Sequence, residues 1–162
     1  MFIGTQIGNL FEPLTGRKWD RTRIDQEFKA RLVYYHERGI RPFDRIFLLY
    51  GNHIEFFIDL LAVWNLGGII IPIDAKLTAP EVENLAKAAK PKIAIYRETL
   101  TDVIHQSLSA LGITVLDTLA ATSKRIQKTH AHLVYNFLLD QDALILFTSG
   151  TTGQPKCVVH TH

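Results

Sequence analysis

Short apolar runs alternate with longer segments of helical periodicity along most of the chain, and this alternation narrows the possible folds more than any other feature. The apolar runs are rich in β-branched residues and span residues 45–50, 69–73, 92–96, 113–117 and 143–147. Strands that alternate with helices of about 10 to 15 residues form right-handed βαβ units around a parallel sheet. The sequence therefore predicts an α/β fold with a doubly wound, mostly parallel sheet and flanking helices.

The intervening segments space their apolar residues by three and four, which predicts helices over 22–38, 54–66, 78–90 and 100–111. The side chains expected to face the core are Ile24, Phe28, Leu32 and Tyr35, then Phe57, Leu60, Leu61 and Trp64, then Val82, Leu85, Ala86 and Ala89. Thr78 is the expected N-cap of the third helix, and Gly67-Gly68 should end the second. Residues 120–136 are polar and aperiodic, so they are predicted to be mostly loop.

Composition and charge exclude several classes of function. The 18 Lys and Arg are scattered among 16 Asp and Glu, and the net charge is only +2, which excludes a basic nucleic-acid surface. The apolar stretch 54–73 is long enough to cross a bilayer, but it contains Glu55, Asp59 and Asn65, so no membrane span is predicted. The N-terminus lacks the pattern of a signal peptide. The single cysteine, Cys157, suits a reducing compartment, and the predicted location is cytoplasmic.

The segment TSGTTGQPK, residues 148–156, follows the last apolar run and has the composition of a phosphate-binding loop. Gly150 and Gly153 allow the backbone to approach an anion, and Lys156 supplies a point charge. Hydroxyl groups that can donate to phosphate oxygens come from Thr148, Ser149, Thr151 and Thr152. Clusters of this composition are often plain surface loops, but their position at the carboxyl end of a buried strand favours phosphate binding.

This loop does not have the Walker pattern of a nucleoside-triphosphatase. That pattern requires Gly-Lys-Ser/Thr leading into a helix, whereas here Pro155 precedes Lys156 and Cys157 follows it. The residues CVVH after the lysine indicate a second strand, so the loop is predicted to join two strands as a hairpin. Within that strand we expect Cys157 to be a small buried residue.

Paired histidines are a further candidate for a functional site, and we assign no metal site to them. His130 and His132, like His160 and His162, are two residues apart and would share a face of a strand. A metal site needs a further ligand at a suitable spacing, which the sequence does not provide.

The segment LFTSGTTGQPKCVVHTH, residues 146–162, closely resembles the phosphate-binding signature of the AMP-forming acyl-CoA synthetase superfamily. That superfamily includes the adenylation domains of nonribosomal peptide synthetases and the luciferases. The likeness extends over residues 19–162 and includes WNLGGIIIPID at 64–74. It implies that residues 1–162 are the N-terminal segment of a larger adenylating domain.

The resemblance implies an ATP-dependent acid–thiol ligase. The family's loop role falls on Thr148, Ser149, Gly150, Thr151, Thr152, Gly153 and Lys156. These residues would hold the β- and γ-phosphates of ATP, which acts with Mg²⁺, while a substrate carboxylate attacks the α-phosphorus. The products are an acyl-adenylate and pyrophosphate, and coenzyme A is the expected acceptor of the acyl group.

Family members are several times longer than this chain. By the resemblance, the catalytic residues, the acyl pocket, the magnesium ligand and the C-terminal domain all follow position 162. We therefore expect the 162 residues alone not to complete the reaction, unless a companion chain supplies the rest. The alternatives are a non-catalytic module that binds a nucleotide or a partner, a peptide-synthetase adenylation fragment, and a relic without function.

The chain departs from the family pattern at three positions. Cys157 replaces the usual glycine after the lysine, which bears on the geometry of the loop. Phe43 replaces a glycine and Ala75 replaces a proline, and both changes are expected to concern packing.

Overall fold

The computed structural model describes residues 8–97, 100–122, 140–148 and 156–162. A two-stranded antiparallel hairpin comes first, formed by β1 (Leu10–Glu12) and β2 (Arg17–Trp19), which the sequence analysis did not predict. The helices that follow are α1 (Arg21–Glu37), α2 (Ile54–Asn65), α3 (Ala79–Ala89), α4 (Asp102–Ala110) and α5 (Leu119–Thr122). The remaining strands are β3 (Arg45–Tyr50), β4 (Ile69–Asp74), β5 (Ile93–Tyr96), β6 (Thr114–Asp117), β7 (Asp142–Thr148) and β8 (Lys156–Thr161).

The main sheet has six strands in the order β6-β5-β3-β4-β7-β8. All neighbouring strands run parallel except β7 and β8, which form an antiparallel hairpin. The predicted α/β class, the mostly parallel sheet and the terminal hairpin are therefore confirmed. Residues 120–122 belong to the short α5, whereas the rest of the predicted loop over 120–136 lies outside the described residues.

Helices cover both faces of the sheet. Ile46 and Leu48 of β3 point to a core built with α1 and α2, whereas Phe47 and Leu49 point to a core built with α3 and α4. Strands that are buried on both faces read as continuous apolar runs, which explains the sequence pattern. The fold is doubly wound, as predicted.

The second helix buries a different face from the one predicted. Phe57 is 53% exposed, and Leu60, Leu61 and Trp64 are only half-buried. The buried residues of α2 are Ile54, Glu55, Ile58, Asp59, Ala62, Val63 and Asn65. Three of these buried residues, Glu55, Asp59 and Asn65, are polar. The spacing of apolar residues therefore pointed to the neighbouring face of the helix. In α1, by contrast, the expected residues Ile24, Leu32 and Tyr35 are buried.

The end of α2 confirms the predicted role of its two glycines. Gly67 has a φ of 78°, which a residue without Cβ adopts readily. Its N–H donates to Trp64 O at 2.8 Å, and the N–H of Gly68 donates to Val63 O at 3.0 Å, which is the Schellman arrangement. A Cβ on Gly68 would lie 2.7 Å from Val63 Cγ1, so this position requires glycine for close packing as well.

None of the helices in the described ranges is both long enough and apolar enough to cross a membrane.

Candidate functional site

Strands β7 and β8 bring the two ends of the predicted phosphate loop together. Their register runs from the pair Asp142 and Thr161 to the pair Thr148 and Lys156. Thr148 and Lys156, the first and last residues of the loop, are therefore direct cross-strand partners, and both are exposed. Cβ atoms of opposite residues in antiparallel strands lie about 4.5–5.5 Å apart. A hydroxyl group and an ammonium group thus flank the mouth of the loop.

The strand that leads into the predicted loop ends at the carboxyl edge of the parallel sheet. Strand β7 runs parallel to β4, with Ile70 opposite Leu144. Asp74 at the end of β4 and Thr148 at the end of β7 each lie four residues beyond this pair. Ligands of open α/β sheets bind at this edge because the loops that follow the strands converge there. Thr148, the residue at which the predicted loop begins, therefore lies at this edge of the sheet.

Contacts at the opposite end of the hairpin fix it to the rest of the sheet. The indole Nε1 of Trp64 donates to Ala143 O at 2.7 Å, and the side-chain amide of Gln141 donates to Gly67 O at 3.3 Å. The ring of His162 packs edge-on against Trp64 at 5.5 Å between centroids. These contacts hold the base of the hairpin to α2 and to the turn that ends α2. They fix how β7 and β8 lie beside β4.

The structure describes only the first and the last of the predicted loop residues. Thr148 and Lys156 lie at the ends of β7 and β8, as described above. The other predicted residues, Ser149, Gly150, Thr151, Thr152 and Gly153, lie outside the described residues.

The expectation that Cys157 is buried is wrong. Cys157 lies in β8 opposite Phe147, and its side chain is exposed. Every residue of β8 is exposed, since this strand lies at the edge of the sheet. Sequence alone did not indicate this exposure because an edge strand and a central strand share the same apolar pattern.

The histidine pairs do not come together as a metal site in the described residues. His160 is exposed in β8, and burial against the ring of Trp64 lowers the pKa of His162. His130 and His132 lie outside the described residues.

A cluster that the sequence analysis missed joins the N-terminal hairpin to α2. Donor atoms of Glu12, His53 and Glu55 all lie within 4.8 Å of one another, a spacing that could also suit a metal ion. However, Arg17 contacts both carboxylates, at 3.4 Å to Glu12 and 2.5 Å to Glu55, and Arg97 lies 3.2 Å from Glu55. Two guanidinium groups already balance the two carboxylates, so we interpret this cluster as an ion-pair network that fastens the hairpin.

Comparisons with known proteins agree with the fold. The family described as AMP-binding enzyme matches residues 31–162. The long-chain-fatty-acid–CoA ligase FadD13 of Mycobacterium tuberculosis is 35% identical over 130 residues, which cover 76% of this chain and 26% of that protein. The putative acyl–CoA ligase YdaB of Bacillus subtilis is 33% identical over 152 residues, which cover 88% of this chain and 29% of that protein.

A solved structure shows the same fold. Apo MatB from Rhodopseudomonas palustris superposes with a TM-score of 0.78 at 22% identity, covering 91% of this chain and 30% of that chain. The chain thus spans between about a quarter and a third of the length of these proteins. Since the family match includes the sheet, its helices and the loop hairpin, the chain belongs to the AMP-binding enzyme family.

Proposed function

We propose that this chain forms the ATP-phosphate grip of an AMP-forming acid–thiol ligase. The loop of residues 148–156 holds the β- and γ-phosphates of MgATP, and a carboxylic acid and coenzyme A are the other substrates. The remaining parts of the site come from polypeptide beyond these residues, in the same chain or in a companion chain. The reaction takes place in the cytoplasm, where ATP and coenzyme A are available and a single cysteine stays reduced.

The observation that carries this proposal is the pairing of Thr148 with Lys156 at the carboxyl edge of the sheet. A hydroxyl and an ammonium group flank a segment whose sequence contains further hydroxyl side chains and two glycines, which lack a Cβ atom. Such groups are charge-stabilising donors of the kind that nucleotidyl transfer requires, since that reaction depends mainly on positioning and on electrostatic stabilisation.

The proposed reaction has two steps. An oxygen of the substrate carboxylate first attacks the α-phosphorus of ATP, the bond from that phosphorus to the bridging β-oxygen breaks, and pyrophosphate leaves. The thiolate of coenzyme A then attacks the acyl carbon of the adenylate, a thioester forms, and AMP leaves. The role of Lys156 is to stabilise the charge on the phosphates during the first step.

The phosphate grip can be tested by calorimetric titration of the chain with MgATP. Lys156→Ala removes a charge-assisted hydrogen bond, so we expect the Kd for ATP to rise roughly tenfold or more. Lys87→Ala on α3 is the matched control, because Lys87 is an exposed lysine that pairs with Glu83 at 2.7 Å, away from the loop. If Lys156→Ala and the native chain titrate alike, the loop does not hold phosphate.

A non-catalytic nucleotide-binding module is the second candidate, because the phosphate-binding groups at Thr148 and Lys156 could hold a nucleotide without catalysing its reaction. The two proposals differ in pyrophosphate exchange. A ligase segment should support ATP–pyrophosphate exchange with a carboxylic acid once a polypeptide containing the rest of a family domain is added. A binding module should bind ATP but should not support pyrophosphate exchange with any carboxylic acid or added polypeptide.

A further inference from the structure

Exposed apolar side chains gather where the N-terminal hairpin meets α2. Phe11 in β1 is 60% exposed, Leu14 in the hairpin turn is 87% exposed, and Phe57 in α2 is 53% exposed. All three line one concavity at the carboxyl ends of β3 and β4, so they form a single surface, which we call the Phe11 surface. Exposed apolar residues that are gathered in this way mark a binding surface for a protein or a membrane, whereas isolated ones do not.

The pairing of β1 with β2 explains why part of this surface faces outward. Successive side chains of a strand point to opposite faces. One face of the hairpin packs on the helices, since Trp19 joins a core cluster with Ile24 of α1 and Ile58 of α2. The other face carries Phe11 and Lys18, which are cross-strand partners and are both exposed. An apolar ring and an ammonium group therefore lie side by side on the outer face of the hairpin.

Further cations surround the Phe11 surface. Lys18 and Arg23 border a second, smaller hollow beside the hairpin, together with Trp19. The guanidinium group of Arg23 lies 5.4 Å from the centre of the Trp19 ring and pairs with Glu27 at 2.6 Å. Lys76 is exposed and lines the concavity of the Phe11 surface. In the part of the chain that the structure describes, neither Lys18 nor Lys76 makes an ion pair, so both ammonium groups are available to a partner.

Acidic groups do not balance these cations. Within residues 8–23 and 72–78 the exposed charged residues are the cations Lys18, Arg21, Arg23 and Lys76 and the acids Asp20 and Asp74. Asp20 accepts from the backbone N–H of Arg23 at 2.8 Å, and Asp74 accepts from that of Lys76 at 2.9 Å, so both acids also have local partners. The complementary partner carries negative charge over an apolar interior. An anionic phospholipid membrane has this chemistry.

We propose that the Phe11 surface docks on an anionic phospholipid membrane, with Phe11, Leu14 and Phe57 inserted among the head groups and Lys18 at the lipid phosphates. A membrane accepts protruding side chains such as Leu14 to a depth of about 5–10 Å, whereas a protein partner would need a matching pocket. The aliphatic stem of Lys18 can lie along the inserted ring of Phe11 while its ammonium group stays at the phosphates. Docking of this kind is peripheral and reversible, and it needs no membrane-spanning helix.

Flotation of the 162-residue chain with lipid vesicles tests the choice of partner. Vesicles of phosphatidylcholine with about one third phosphatidylserine should bind the chain at least about tenfold more tightly than vesicles of phosphatidylcholine alone, and added salt should reduce this difference. No binding, or equal binding to both kinds of vesicle, overturns the proposal. Glycerophosphoserine is the soluble head group without acyl chains, and it should not displace the chain at the same head-group concentration. Displacement would mean that the surface recognises a free phosphate and not a membrane.

The apolar insertion is tested with Leu14→Ser at the tip of the hairpin turn. Burying a leucine side chain contributes a large share of the binding, so we expect affinity for the anionic vesicles to fall about tenfold. Val103→Ser on α4 is the matched control, because Val103 is 60% exposed and lines neither hollow. Equal affinity of the two variants contradicts the insertion, and circular dichroism verifies that both are folded. A native dimer that Leu14→Ser dissociates without vesicles would assign the surface to a second copy of the chain and overturn the proposal.

The contact of Lys18 with the lipid phosphates is tested with Lys18→Gln. One lysine near an anionic membrane contributes about fivefold in affinity, so we expect a loss of this size for the anionic vesicles and none for phosphatidylcholine alone. Lys90→Gln removes the same charge at the opposite edge of the sheet, since Lys90 follows α3 just before β5 begins, and it should bind like the native chain. Equal losses for the two variants would mean that only the net charge matters, which contradicts the proposed orientation.

Discussion

At the scale of single residues, Phe43 shows how one substitution acts through the backbone. Its φ is 69°, in the left-handed region, and its N–H donates to Gly67 O at 2.8 Å, which fixes the turn before β3. The expectation that this residue concerns packing is therefore wrong, since Phe43 is 61% exposed. The family's glycine suits a position that a residue with a Cβ adopts at a cost of about 1–2 kcal/mol.

We therefore expect Phe43→Gly to stabilise the chain. Relief of the left-handed strain exceeds the additional backbone entropy of glycine, which is about 0.5–1 kcal/mol, so the net gain should be about 0.5–1 kcal/mol. The free energy of unfolding from urea titration measures it. Arg38→Gly is the control, because Arg38 ends α1 at a φ of −87°, where glycine gives no relief and should destabilise. A loss of stability in Phe43→Gly would show that the φ of this turn is not the source of strain.

At the scale of elements, the strands were easier to predict than the helix faces. The continuous apolar run at 69–73 predicted β4 to within one residue of its observed end. A strand that is buried on both faces is apolar throughout, so its prediction does not require knowing which face is buried. The buried face of α2 was missed because Glu55, Asp59 and Asn65 occupy it, and each is polar. The β1–β2 hairpin was missed because each strand has only three residues, too few to show alternation.

Ion pairs attach the β1–β2 hairpin to α2, so we expect acid to weaken this attachment. Burial alone would raise the pKa of Glu55. The pKa is nevertheless lowered, because Arg17 donates to this carboxylate and Arg97 lies beside it. A carboxyl group with a lowered folded pKa contributes stability above its unfolded value of 4.5 and loses it as pH falls through the folded pKa. We expect the free energy of unfolding to fall as pH drops below about 4.5, measured by urea unfolding at stepped pH.

Arg17→Gln tests the origin of this acid dependence. At pH 7 we expect the variant to lose about 1–2 kcal/mol of stability, since it removes hydrogen bonds to two nearly buried carboxylates. Its stability should also fall less steeply with acid than that of the native chain. Lys18→Gln on the same strand is the control and should keep the native profile. Parallel acid profiles for native chain and Arg17→Gln would assign the acid sensitivity to other carboxylates.

At the scale of the whole molecule, the sequence predicted what depends on local pattern and missed what depends on distant pairing. The end of β7 at Thr148, where the predicted phosphate loop begins, follows from a local apolar run, so it could be predicted. The hydrogen bonds from Tyr35 to Asp59 and to Thr118 join residues 24 and 83 positions apart. No spacing rule predicts such partners, because the fold alone brings them together.

Asp59 is the centre of a buried polar network that joins both helices of one face to the sheet. Its carboxylate forms an ion pair with Arg31, at 2.6 Å from Nε, and accepts hydrogen bonds from Tyr35 at 2.7 Å, from Thr118 at 2.9 Å and from Tyr50. Burial alone would lower the pKa of Arg31, but Asp59 and Glu27 beside it raise that pKa above its ordinary value. Burial raises the pKa of Asp59, whereas Arg31 and the hydrogen bonds that the carboxylate accepts favour its charged form. Both side chains of the pair are fully buried.

Removing one member of this network should destabilise the whole domain. Asp59→Asn leaves Arg31 without its main counter-charge in the interior, and we expect a loss of about 3–5 kcal/mol in the free energy of unfolding. Asp25→Asn on α1 is the matched control, because Asp25 pairs with Lys29 at 2.5 Å where both side chains are more than half exposed. This variant should lose less than about 1 kcal/mol in the free energy of unfolding. The double variant Asp59→Asn/Arg31→Met should lose less than the sum of the single variants, with a coupling of about 0.5–3 kcal/mol in urea unfolding. Additive losses would mean that the two residues stabilise the fold independently, because a shared buried charge pair cannot give additive costs.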